Sequence, residues 1–328
     1  MKRRTIWLIG GLAIIGVAAA VFFVRIAREN FPNGPVVFGA TFSKKYAQSL
    51  GLDWRAAYTA VLDELGVRLL RIPAYWDEIE PETGRFVFDD LDWQLREAEA
   101  RDAKVLLAVG QKLPRWPECH FPSWIKNATV ERRQLRTLAM LQRVVSRYRG
   151  SKAVWAWQVE NEPLFDFGEC PPPDVEFLKK EIELVRSLDS TRPIVVTDSG
   201  ELSTWLPAAE LGDILGISMY RVVWTKFLGY FYYPITPGFY RYRAEAIRSL
   251  TPRVIITELQ VEPWVARAIP ETPLSEQYKS MDAERVRSNV EFARRAGLSE
   301  VYVWGVEWWY WLRGQGNDEI WEYGKSIF

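Results

Sequence analysis

Two glutamates stand at places where apolar runs end. Glu162 lies in WQVENEP, residues 157–163, and Glu258 lies in VIITELQ. Two carboxyl groups facing each other across a site suit glycoside hydrolysis: one protonates the leaving oxygen, and the other attacks the anomeric carbon or activates water. Glu160 and Glu262 are neighbouring alternatives, but Asn-Glu-Pro places Glu162 itself at the end of its run. The single histidine, His120, excludes a multi-histidine metal centre, and neither a metal nor a cofactor is expected.

Such residues need a scaffold that carries several strand ends to one face. After Pro35, short runs rich in Val, Ile and Leu alternate with amphipathic runs of helical length. Strands are expected at 36–40, 67–73, 104–110, 153–160, 193–198, 213–220, 253–258 and 300–305. Helices are expected at about 53–65, 90–102, 130–148, 174–188, 238–250 and 281–295, with a shorter turn after Thr204. Runs that are apolar throughout, rather than alternating, imply burial on both faces, as in a parallel sheet. Eight strands, nearly all followed by helices, predict an α/β fold, the (β/α)₈ TIM barrel, whose active sites lie at the C-terminal strand ends. A doubly wound sheet would show a glycine-rich turn after its first strand, and FGATFSKKYAQ offers only Gly39.

Asn-Glu-Pro closing the fourth strand and a glutamate closing the seventh resemble glycoside hydrolase clan A, in particular its cellulase-like, family-5-type members. YWDEIEPETGRFVFDDLDWQL, residues 75–95, looks like the second βα loop of that clan. The likeness spans about residues 36–312. It implies a retaining hydrolase of β-linked O-glycosides, with Glu162 as acid/base and Glu258 as nucleophile. It also implies that Asn161 holds the sugar 2-hydroxyl, that Arg71 and Tyr220 support the nucleophile, and that Trp304 floors the reacting subsite. Gln111, Trp76 and Trp264 are further substrate-binding or supporting candidates. The roles need opposite protonation states: an anionic or apolar setting keeps a proton on Glu162, and a cation such as Arg71 keeps Glu258 ionised. The chain departs from the clan in lacking histidines after strands three and six, where it carries Gln111, Lys112 and Arg221. Two other functions fit the same barrel. One is an inactive glycan-binding module, and the other is a transglycosylase using both glutamates.

The 16 tryptophans suit a concave surface that stacks on sugar rings of an oligo- or polysaccharide. Aromatics gather in PRWPECHFPSW (114–124), RVVWTKFLGYFYYP (221–234) and EWWYWL (307–312), all just past predicted strand ends; the second could also meet a membrane interface. Lys plus Arg equals Asp plus Glu at 42 each, which leaves no basic field for nucleic acid. Residues 6–24 form an uncharged apolar run behind Lys2, Arg3 and Arg4. At about 1.5 Å per residue it nearly spans a hydrocarbon core of roughly 30 Å, so it is expected to anchor the chain in a lipid bilayer with its N-terminus inside. A cleaved signal peptide, with Ala18–Ala20 as the small-residue site, would leave the protein secreted instead. Residues 1–28 are thus an anchor, 29–35 a linker and 36–328 the catalytic barrel, held outside the cytoplasm. Cys119 and Cys170 fall in the adjacent loops after strands three and four, and outside the cytoplasm they should form a disulfide.

Overall fold

The computed structural model describes residues 35–328. Eight parallel strands close into a barrel: β1 (Val37–Thr41), β2 (Leu69–Pro73), β3 (Lys104–Val109), β4 (Val154–Val159), β5 (Ile194–Asp198), β6 (Ile214–Met219), β9 (Val254–Gln260) and β10 (Glu300–Trp304). Between β6 and β9 the chain adds an antiparallel hairpin, β7 (Val222–Thr225) and β8 (Gly229–Tyr232). Every expected barrel strand is present, within one or two residues at most ends. The apolar runs hold because each strand buries one face in the barrel and the other beneath helices. A small inner layer of Leu106, Ala156, Val195, Ile214, Ile255 and Tyr302 fills the lower barrel, while a larger core lies between strands and helices.

The helices start where the sequence provides caps. Asp53 accepts from the amides of Arg55 and Ala56 to open Trp54–Asp63, and Asp174 accepts from that of Phe177 to open Val175–Leu188. The helix Val130–Tyr148 has the expected bounds, capped by Thr129. Gly216 on β6 faces the crowded barrel interior, where a Cβ would stand 2.6 Å from a Thr257 methyl and 2.8 Å from that of Thr197.

Two aromatic segments take different places. EWWYWL belongs to a helix, Val306–Gly314, in which Trp308 and Trp309 are wholly buried. Their indole N–H groups donate to Gln277 Oε1 and to the Val261 carbonyl, so they pack the shell and do not line the mouth. RVVWTKFLGYFYYP is the β7–β8 hairpin, with Phe227 almost fully exposed at its tip. Among the described residues no helix is long and apolar enough to cross a membrane. The expected anchor, residues 6–24, lies outside the described residues.

Candidate active site

Strand β4 stops abruptly, and the stop shapes the site. Glu160 and Glu162 both have positive φ, 60° and 43°, a region that residues with a side chain seldom occupy. The amide of Asn161 donates to the Lys112 carbonyl at 2.7 Å, and that of Glu162 to Thr197 Oγ1 at 2.7 Å. These bonds turn the chain so that Asn161 and Glu162 project at the strand end. Glu160 takes another path: it accepts from the amides of Gln111 and Lys112 at 2.8 and 2.5 Å. Gly110 makes room for it, since a Cβ there would meet its carboxyl group at 2.4 Å.

Glu258 is brought in by a bulge. Ile217 pairs with Ile256, and the next residue, Ser218, pairs with Glu258, so Thr257 is an extra residue on β9. A bulge of this kind re-aims side chains beside it. Arg71 on β2, wholly buried, donates from Nη1 to Glu258 Oε1 at 2.9 Å, and Tyr220 Oη donates to Glu258 Oε2 at 3.0 Å. The same guanidinium donates to Gln158 Oε1 at 2.7 Å and to Asn161 Oδ1 at 2.5 Å. Arg71 therefore fixes the orientation of the Asn161 amide and holds Glu258 with a charge-assisted bond.

Glu162 keeps its proton to a pH well above the usual carboxylate range. Burial is the largest cause, followed by the negative charge of Glu258 and then that of Glu118.

Glu118 is a third carboxyl of the site that sequence reading overlooked. It follows the β3 strand in PRWPEC and is buried, with its Oε2 accepting from Asn161 Nδ2 at 3.0 Å. Burial, and then the charge of Glu258, push it up to about 8. The signal was its place beside Cys119, because the expected disulfide ties this loop to the β4 loop. That disulfide is present, with Cα atoms 5.3 Å apart. Lys112 binds the two loops again, donating from Nζ to the Glu162 and Phe165 carbonyls at 3.0 and 2.6 Å. Glu201 was overlooked too. It accepts from the Tyr220 amide at 2.9 Å and from Tyr240 Oη at 2.6 Å, and burial raises it to about 7.

The remaining candidates are spread around the site. Trp264 meets Tyr220 edge to face at 5.3 Å, and Phe167 lies 6.4 Å from Trp264. Gln111 lies at the end of β3 with its side-chain oxygen buried and unpaired among the described residues. Trp76 is wholly buried, donating to Glu80 Oε2 at 2.9 Å, and has no surface to offer a sugar. Trp304 ends β10, but the Arg115 guanidinium stacks 4.0 Å from its ring centre, so that ring face is already covered. Arg115 also lies 3.6 Å over Tyr46 and pairs with Glu262 and with Glu307. His120 is buried beneath this loop, its ring 4.3 Å from that of Tyr75.

Comparisons with known proteins bear on the family and the fold. Residues 39–229, more than half of the chain, match the family described as Cellulase (glycosyl hydrolase family 5). A stretch of 117 residues is 32% identical to endo-1,4-beta-xylanase A of Phanerodontia chrysosporium, covering 34% of this chain and 27% of that protein's length. In structure the barrel is similar to GH5_18 from Bifidobacterium longum subsp. longum, with a TM-score of 0.59 at 15% identity over 83% of this chain and 70% of the other. It is similar to xylanase 10B from Thermotoga maritima, with a TM-score of 0.56 at 18% identity over 82% of each chain. It is also similar to the beta-galactosidase from Rahnella sp. R3, with a TM-score of 0.54 at 13% identity over 82% of this chain and 50% of that one. These structural likenesses concern the fold. The family match shows that the chain belongs to the cellulase family, glycosyl hydrolase family 5, whose members act on O-glycosyl compounds.

Proposed function

We propose that the protein hydrolyses a β-linked glycoside with retention of configuration, using Glu258 as nucleophile and Glu162 as acid/base. The observation that carries this reading is the unequal setting of the two glutamates. Both oxygens of Glu258 accept from donors, Arg71 and Tyr220, which suits an ionised group. Glu162 is instead kept protonated by burial and by the charge of Glu258. In the first step Glu258 forms a bond to the anomeric carbon as the glycosidic C–O bond breaks, and the Glu162 proton passes to the leaving oxygen. In the second, Glu162, now a carboxylate, takes a proton from water, whose oxygen displaces Glu258. Asn161, oriented by Arg71, presents its amide to the sugar 2-hydroxyl. The apolar run at 6–24 would hold the barrel at the outer face of a membrane, and a disulfide at the mouth suits such an oxidising compartment.

Glu258→Gln is expected to abolish turnover of aryl β-glycosides. Glu162→Gln is expected to lose about 10²–10⁴-fold on poor leaving groups, yet to keep most activity on dinitrophenyl glycosides, which need little protonation. Proton NMR of the first product should show the β-anomer. An α-anomer, or equal loss in the Glu162 variant on every leaving group, would remove the assignment.

A further inference from the structure

The loop after β3 is a plug rather than a flap. From Lys112 to His120 every residue is buried except Pro117, which is partly so, and Trp116, which stands 65% exposed. Arg115 crosses the mouth to pair with Glu262 after β9 and Glu307 after β10, and it covers Tyr46 after β1. The Pro114 carbonyl accepts from Tyr75 Oη, after β2, at 2.9 Å. The strand order β9-β10-β1-β2-β3 makes these neighbours one continuous arc of the rim. The disulfide and Lys112 close the arc onto the β4 loop. Among the described residues, the loops after β5 and β6 make no hydrogen bond or ring contact with the plug.

The catalytic pair sits at the edge of this roof, and its direction is fixed. A leaving group must lie on the side of the acid. The amide of Glu162 donates to Thr197 Oγ1 on β5, which sets the acid's backbone on the β5 side. That is the open side, bordered by the β7–β8 hairpin, whose pairing puts Trp224 and Phe231 on opposite faces. The glycone must lie on the side of Asn161 and Arg71, beneath the plug. There Glu118 accepts from Asn161 Nδ2, and Arg115 lies over Trp304 and pairs with Glu262 and Glu307, so the plug's own side chains border the glycone.

We infer that the protein acts from chain ends, accepting one terminal non-reducing sugar in a closed pocket while the rest of the substrate extends over β5, β6 and the hairpin. This rests on the glycosidase reading above. A groove open at both ends would let a polymer lie across the mouth; a mouth roofed over β9, β10, β1, β2 and β3 does not.

The test uses the wild-type protein and three substrates of whichever sugar it accepts: the aryl monoglycoside, the aryl disaccharide, and that disaccharide methylated on the terminal hydroxyl through which the chain would continue. The expected result is that the monoglycoside is cleaved and that the disaccharide releases free monosaccharide first, with a lag before aryl release. The capped disaccharide should be cleaved at least about 100-fold more slowly than the uncapped one. Intact disaccharide as the first product, or equal cleavage of the capped substrate, overturns end-wise action while leaving the glycosidase reading in place. No cleavage of any aryl glycoside overturns that reading, and this inference with it.

Discussion

Glu162 and Glu258 carry the same side chain, and only their surroundings separate them. Burial does most for Glu162, while at Glu258 one guanidinium, Arg71, joins the carboxylate to the Asn161 amide and Gln158. Glu118 adds a dependence on pH. Its charge raises Glu162, while it is itself raised to about 8 by burial and then by Glu258. Replacing it with a neutral group of the same shape removes one anion from beside Glu162. With Glu162 in the acid role proposed above, the alkaline limb of the kcat/KM profile should therefore move to lower pH in Glu118→Gln. A limb that stays in place or moves to higher pH would show that Glu118 does not act on Glu162.

At the scale of elements, the β3 loop does more for the site than any helix. Arg115 and Glu118 both have positive φ, 86° and 71°, in a loop otherwise buried. Such conformations persist where surroundings over-determine them, and here a buried ion-pair cluster and a disulfide do so. Replacing both cysteines, Cys119→Ser with Cys170→Ser, opens a link between residues 51 apart. The chain-entropy account gives a loss of about 3–4 kcal/mol. Urea unfolding should show the lower midpoint, with a slope no smaller than wild type because the opened unfolded chain is more expanded. Activity should fall as well, because Glu118 adjoins Cys119 and bonds to Asn161. A variant as active as wild type would mean that Lys112 and Arg115 alone hold the loop.

Among the described residues, three carboxyls of the site and its surroundings are held well above their ordinary range. Burial is the largest cause for Glu118, raised to about 8, and for Glu201 and Glu307, each raised to about 7, all from an ordinary 4.5. A raised acid keeps its proton in the folded chain after the unfolded chain has lost its own. Between those two values the folded state binds more protons, so stability falls as pH rises. The contribution of these three groups is therefore largest below about pH 4.5 and is lost progressively towards pH 8. Thermal unfolding followed from pH 5 to 8 should give a falling midpoint. Substituting all three by Gln should flatten the slope, and a rising midpoint in the wild type would contradict this account.

The sequence by itself determined the barrel, the ends of its strands and the two glutamates placed there. Continuous apolar runs require a sheet buried on both faces, and caps such as Asp53 and Asp174 are local signals. The Cys119–Cys170 bond was legible because adjacent strands put their loops side by side. Tertiary structure alone decided the rest. An aromatic run reads alike whether it packs a helix, as Trp308 and Trp309 do, or stands on a hairpin, as Phe231 does, because burial depends on what lies opposite. Glu118 and Arg115 gain their meaning from partners far away in the chain, Asn161, Glu262 and Glu307, and no local spacing encodes such contacts.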